Sequence, residues 1–214
     1  MTASFRRAPQ FDRRSDMIEA TLDCIVDLGI ENTTVRAVAT RAGVSNGLIR
    51  HHFTSKDNLI VEAYRRIISM MTGPALDVLA SHDGPPRERL ARFIIASLSG
   101  PVADPRMLSL WATFVSKVHR NPDLAREHRQ GYLAYRDATE DLIVEVLHSE
   151  GRILREGERR RLSIAFNALI DGLWLECGLS AAEFDGDLQV DIGFETVEKL
   201  LGIALPKPDQ TKGN

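Results

Sequence analysis

Residues Thr33–Leu59, TTVRAVATRAGVSNGLIRHHFTSKDNL, read as two short helices joined by a tight turn, with a third helix starting directly after. Val35, Val38, Ala39 and Ala42 fall at the spacing of one helix face. Thr33 or Thr34 can cap that helix, its side-chain oxygen accepting from a backbone N–H that the helix leaves unpaired. Gly43 stands where the helix must end, because glycine enters the left-handed conformation without a Cβ penalty. Ser45 caps the second helix, and Ile49 and Phe53, four apart, set its inner face. Asn46 and Arg50 are left pointing outward, with Leu48 to one side. The pattern predicts a helix-turn-helix with its reading face free.

A helical hairpin that merely packs would have the same outline, so the polar residues must decide. Asn46 and Arg50 lie four apart on the outward side, where a packing helix more naturally carries Glu–Lys pairs. No acidic residue occurs between Glu31 and Asp57, whereas Arg36, Arg41, Arg50 and Lys56 all do. Lys56 stands at a helix start, beside amide N–H groups suited to a phosphate. These features favour DNA. Asn46, Arg50 and Leu48, the last against a thymine methyl, are the expected base readers. Thr34, Arg36, Ser45, His51, His52 and Lys56 are the expected phosphate contacts, which position the head without specifying sequence.

The stretch resembles the N-terminal DNA-binding domain of TetR-type transcriptional regulators. Their pattern has an Ala-Gly-Val-Ser turn, then Phe, then a Ser/Thr-Lys-Asp/Glu helix start; here these are Ala42–Ser45, Phe53 and Ser55-Lys56-Asp57. The likeness covers about the first 65 residues. Two departures matter, since the family commonly has tyrosine at the positions of Arg50 and His52. Arginine grips a guanine edge or a phosphate as tyrosine cannot, so operator preference does not carry over.

Charge is unevenly placed. The net charge of −3 argues against a non-specific nucleic-acid coat. Residues 1–66 nevertheless hold ten Lys/Arg against eight Asp/Glu, while residues 67–214 hold 17 against 22. Asp16, Glu19, Asp23 and Asp27 cluster on the opening helix, which leaves the reading region basic. A basic head on an acidic body suits a specific regulator.

The remaining punctuation predicts an all-α chain, with Gly and Pro at helix spacing and no β-branched alternation. The expected organisation is a flexible arm (1–12), the helix-turn-helix domain (13–56), a helical effector-binding and dimerisation domain (57–205) and a flexible tail (206–214). The opening helix is expected over Arg13–Leu28, and a longer one from Lys56 to about Met71, breaking or kinking at Gly73-Pro74 and then resuming to about Ala80. Asn121-Pro122 starts another, with asparagine as cap and proline in the first turn. No apolar run is read as long enough to span a membrane, and no signal peptide is read at the start. Cys24 and Cys177 fit buried free thiols in a reducing cytoplasm, the expected location.

The last two helices, roughly Glu156–Leu179 and Asp187–Leu201, are apolar over more of their circumference than one core needs. Ile164, Ala165, Ala168, Leu169, Gly172, Leu173, Leu175 and Leu179 carry this on the first, and Val190, Ile192, Phe194, Val197, Leu200 and Leu201 on the second. A partner subunit is the simplest cover. The TetR resemblance implies the same homodimer, with a four-helix interface and reading heads spaced for a palindromic double-stranded DNA operator.

Leu169–Leu175 (LIDGLWL), Leu110–Phe114 (LWATF) and Gly47–Phe53 (GLIRHHF) are similar to the BetI-like branch of that family. That branch implies repression of choline-to-glycine-betaine genes and a response to choline. A quaternary ammonium donates no strong hydrogen bond, so its recognition needs aromatic faces and a carboxylate. Trp111, Phe114, Tyr132, Tyr135, Phe166 and Trp174 are the aromatic candidates, and Asp171 the carboxylate. The same aromatics would also serve as ordinary core. An apolar drug or lipid-like effector, or a helical interaction protein without DNA function, are the competing readings.

Catalysis is not expected. His51 and His52 diverge by about 100° on a helix, and His119 and His128 fall on different faces. No Cys-x-x-Cys, phosphate loop or nucleophile elbow appears, and neither a metal nor a cofactor is expected. Asp137, Glu140, Asp141 and Glu145 lack the histidines of a carboxylate metal site and read as a solvated face.

Overall fold

Side-chain caps start the short helices, and a left-handed glycine ends the first of them. The computed structural model describes residues 10–81, 83–99, 104–180 and 188–206. Gln10–Leu28 forms α1, Val35–Arg41 α2 and Asn46–His52 α3. Thr34, not Thr33, caps α2, its Oγ1 accepting from Ala37 N at 3.1 Å. Thr33 is buried and donates instead to the Gly29 carbonyl at 2.9 Å. Gly43 has φ +64°, and Val44 N bonds Ala39 O (3.0 Å) while Gly43 N bonds Thr40 O (3.3 Å). This pair of bonds closes α2 and turns the chain into α3. Ser45 caps α3, its Oγ accepting from Leu48 N at 3.1 Å. Met17, Ile18, Cys24, Val38, Ala39, Ile49, Phe53 and Leu59 form the core beneath.

The other helices are α4 (Lys56–Ser81), α5 (Pro86–Leu98), α6 (Pro105–Val118), α7 (Pro122–Ser149), α8 (Glu156–Leu179) and α9 (Leu188–Leu201). Among the described residues all regular structure is helical, so the all-α expectation holds. Helix α1 is described from Gln10, three residues before its expected start, and residues 1–9 and 207–214 of the expected arm and tail lie outside the described residues. Two local expectations fail. Helix α4 does not break at Gly73-Pro74 but is continuous with Pro74 inside it, ending at Ser81, one residue past the expected end near Ala80. Proline removes one backbone donor, yet Met71, Thr72 and Ala75 are buried around it, so packing outweighs the lost bond. Helix α8 is long and apolar enough to cross a membrane by length and composition. Ser163, Phe166, Asn167, Ile170, Leu173, Trp174 and Cys177 on it are nevertheless buried inside the protein, as in a core helix.

The chain divides into two compact units, Met1–Ile67 with Ser109–Ala125, and Ile68–Leu108 with Arg126–Asn214. In the first, Arg14–Glu62 (2.8 Å) and Arg66–Glu19 (2.9 Å) tie α1 to α4, and Tyr64 stacks on Phe114 with ring centroids 4.9 Å apart. In the second, α5, α8 and α9 pack on one another. Gly193 on α9 lies so close to Leu98 of α5 that a Cβ there would collide with the leucine side chain. Both cysteines are buried and free.

Candidate functional site

The reading helix is short, so its precision comes from its caps and inner face. Ile49 and Phe53 are buried at 1% exposure each, which fixes the rotation of α3 and turns Asn46 and Arg50 outward, both exposed. Leu48 is half-buried beside them. Among the described residues neither Arg50 nor Arg36 forms an ion pair within 4.0 Å. Both are exposed and available to an external anion. Arg41, by contrast, is engaged by Asp27 at 2.5 Å. His51 is exposed and packs edge-on against half-buried His52 (5.4 Å between ring centroids). Thr34 and Ser45 both use their oxygens as caps, which leaves each hydroxyl proton to donate outward.

Lys56 begins α4, as expected, but is half-buried and donates to the Glu31 carbonyl at 3.1 Å. Glu31 in turn pairs with Lys117 on α6, and this contact holds its carboxyl below the usual range. Lys56, Lys117 and Arg120 thus border one cleft of about 380 Å³ with Glu31 and Asp57. Lys56 is pre-oriented at the helix start by a backbone carbonyl, with two ammonium protons left for a phosphate.

The expected effector residues separate. Trp111, half-buried, and Phe114, fully buried against Tyr64, belong to the first unit. Tyr132, Tyr135, Phe166, Asp171 and Trp174 belong to the second. Three of these fill the core: Phe93 stacks on Tyr135 (5.2 Å) and contacts Phe166 (6.0 Å), and Trp174 Nε1 donates to Ser97 O at 2.7 Å. Tyr135 Oη shares a hydrogen bond with Ser97 Oγ at 2.8 Å, and burial pushes its phenol well up.

Tyr132 and Asp171 differ from that group. Tyr132 Oη donates to Asp171 Oδ2 from α7 to α8, and His128 stacks on the tyrosine ring at 4.9 Å. Burial pushes the Asp171 carboxyl up to about 6 despite the tyrosine hydrogen bond, which opposes it. The same burial, with Asp171 beside it, drives the Tyr132 phenol far above its ordinary value. Asn167, one turn before Asp171 on α8, is 5% exposed, and neither its amide nitrogen nor its oxygen has a hydrogen-bond partner among the described residues. Sequence reasoning passed over Asn167. Its signal was a lone amide between Phe166 and Ile170, at i−4 from Asp171.

The outward face of α8 is also apolar. Ile164 (47% exposed), Ala168, Gly172, Leu175 (44%) and Leu179 (71%) form one stripe, and a Cβ at Gly172 would meet nothing within 4 Å. On α9, Leu188 and Ile192 are similarly exposed. The acidic residues of α7 are not simply solvated. Arg160 of α8 lies 3.3 Å from Asp137 and 3.6 Å from Glu140, and Arg89 of α5 lies 2.6 Å from Glu145. They staple helices together.

With this geometry in hand, known proteins place the chain. The profile of the bacterial regulatory proteins of the tetR family matches residues 17–63. That of the BetI-type transcriptional repressor C-terminal domain matches residues 86–202. The chain belongs to the BetI-type TetR repressors. The transcriptional regulator BetI 1 of Chromohalobacter salexigens is 30% identical over 189 residues, covering 88% of this chain and 90% of its own. BetI of Pectobacterium carotovorum is 30% identical over 191 residues, covering 88% and 94%. A solved transcriptional regulator of Pseudomonas aeruginosa PAO1 superposes with TM-score 0.83 at 32% identity, over 92% of this chain and 93% of that one. A regulator of Saccharomonospora viridis solved in complex with choline shares the fold (TM-score 0.66, 23% identity, 90% and 97% covered). This BetI-type repressor is therefore a DNA-binding transcriptional regulator and not an enzyme. Its family binds DNA operators, dimerises and answers to ligand effectors.

Proposed function

We propose that this repressor works in the cytoplasm as a homodimer. Its two α3 helices read a palindromic operator, and a quaternary ammonium of the choline class releases it. The observation that carries the DNA half is the capped α3, which presents Asn46 and Arg50 outward on a surface without acidic residues from Asn32 to Lys56. Asn46 and Arg50 are the base readers, with Leu48 beside them; Thr34, Arg36, Ser45, His51, His52 and Lys56 hold phosphates. The apolar stripe Ile164–Leu179 supports a dimer through α8 and α9, because a monomer rarely leaves such a continuous face in water.

For the effector, the half-buried Tyr132–Asp171 pair supports a cation site, with Phe166 and Trp174, on the same helix as Asp171, as the further aromatic candidates. A carboxylate in an apolar setting prefers a bound cation to none. The choline found in the Saccharomonospora viridis regulator agrees with this class of ligand. Effector binding shifts the repressor only if the two states hold the ligand unequally, and α4, continuous from the first unit into the second, is the connecting element. The test is tryptophan fluorescence of the purified protein titrated with choline and with 3,3-dimethylbutan-1-ol, its uncharged carbon analogue. A saturable change with choline alone supports the cation site; equal responses favour an apolar-ligand sensor.

A further inference from the structure

The polar seam between α7 and α8, half-buried at Tyr132 and Asp171 and buried at Asn167, holds more chemistry than a cation requires. Asp171 and Tyr132 satisfy one another, but Asn167, one turn earlier on the same helix, does not share in their hydrogen bond. On the helical wheel it falls between Trp174 and Asp171, so its amide borders the same region of the second unit. An unpaired buried amide is a standing cost to the fold, and such groups in native proteins call for an explanation.

We propose that Asn167 is a specificity-determining residue that reads a hydroxyl on the effector. Its two unpaired atoms are a donor, Nδ2, and an acceptor, Oδ1. The complementary group must accept from one and donate to the other, as an alcohol does. A carboxylate only accepts; it would leave Oδ1 unpaired and bring a negative charge towards Asp171. Residues four apart on a helix have Cβ atoms about 5–6 Å apart. A cationic head against Asp171 therefore places a group two or three bonds away within reach of Asn167. The seam selects an amino alcohol over the bare cation and over the corresponding acid.

Arg136, one turn after Tyr132 on α7, is the group that argues the other way. Its Nε is buried without a hydrogen-bond partner, and its charge would welcome a carboxylate. The two amide and guanidinium readings give opposite ligand orders, so the ligands themselves decide between them.

The inference rests on the cation reading of Asp171, and the experiment separates the two. Isothermal titration of the full-length wild-type protein and Asn167→Leu uses choline, tetramethylammonium and glycine betaine at constant ionic strength. The expected wild-type order is choline first, tetramethylammonium weaker and glycine betaine weakest. Asn167→Leu should weaken choline about three- to tenfold, the worth of one neutral hydrogen bond, and leave tetramethylammonium unchanged. Melting of the ligand-free variant should rise by a few degrees, because leucine of similar volume removes the unpaired amide. Asn167→Ala, measured in parallel, guards against misfolding of the leucine variant. Glycine betaine binding as tightly as choline, or equal losses for choline and tetramethylammonium, would overturn the Asn167 assignment. Failure of wild type to bind either cation would instead overturn the cation reading itself.

Discussion

The two proposed recognition regions of this repressor pose opposite problems. Around α3 the caps are made by exposed Thr34 and Ser45, and the proposed base readers stand in water: Asn46 and Arg50 are exposed, and Ile49 and Phe53 beneath them are sealed. Between α7 and α8 the arrangement is reversed. Asn167 is buried in the second unit without a partner, and half-buried Tyr132 and Asp171 pair with each other, the carboxyl held up to about 6. DNA is large and highly charged, so exposed groups on a pre-oriented helix suffice to grip it. A small cation offers little surface, and its recognition needs buried groups whose desolvation weakens the fold. On the proposed reading, recognition costs little stability at one end and much at the other.

The largest effect expected of a single substitution lies outside both regions. Leu175→Arg would bury unpaired charge in the proposed α8–α9 interface, at a cost of roughly several kcal/mol. Sedimentation should show monomers, and operator affinity should collapse, since two half-sites can no longer be held together. A dimer that survived this change would move the interface elsewhere.

Next comes the head. Arg50→Ala should lower operator affinity by about 1–3 kcal/mol and leave random-sequence DNA nearly unchanged. Lys56→Ala should weaken both, and reduce the salt slope by about one unit. Equal losses on both DNAs for both variants would erase the division between base readers and phosphate contacts.

In the seam the expected signature is pH. The native state holds the Asp171 proton more tightly than the unfolded chain does, so stability should fall as pH rises from 3.8 to about 6 and level off above. Tyr132 faces this carboxyl directly, and Tyr135 and Arg136 lie nearby. Choline affinity should run the other way, weakening as pH drops through about 6, because the cation needs the carboxylate. Asp171→Asn should flatten both curves, as urea melts and titrations across this window would reveal.

Ser45→Ala is the mildest. Loss of the α3 cap should cost about 1 kcal/mol and lower the melting temperature by about 2–4 °C. Because the cap orients α3 and nothing in the seam, choline affinity should not move.

The same contrast explains what could be read from sequence. The head was legible because its rules are local: Thr34, Gly43 and Ser45 act on backbone within three to five residues of themselves. Even there, the choice of Thr34 over Thr33 depends on the fold, because Thr33 turns inward to the Gly29 carbonyl. The seam depends on which residues meet across helices. Asp171 stood out as a carboxylate in an apolar run, but that Tyr132 meets it while Tyr135 turns to Ser97 is a matter of helix rotation. Proline misled for a related reason. Pro74 breaks helices by local rules, and buried Met71 and Ala75 overrode them. The acidic face of α7 is solvated as expected, with Asp137, Asp141 and Glu145 exposed, but its arginine partners come from α5 and α8 and could not be read along the chain.

The central claim is that one ligand links the two regions. Fluorescence anisotropy of a labelled operator duplex, selected from genomic fragments that the purified protein retains, tests it directly. Choline is titrated into the complex, with sodium chloride at matched ionic strength as control, because salt alone weakens DNA binding. Saturable release with choline, absent with the salt and with 3,3-dimethylbutan-1-ol, is the expected result. Release that tracks ionic strength only, or none at all, would contradict control of the head by a cation bound in the second unit.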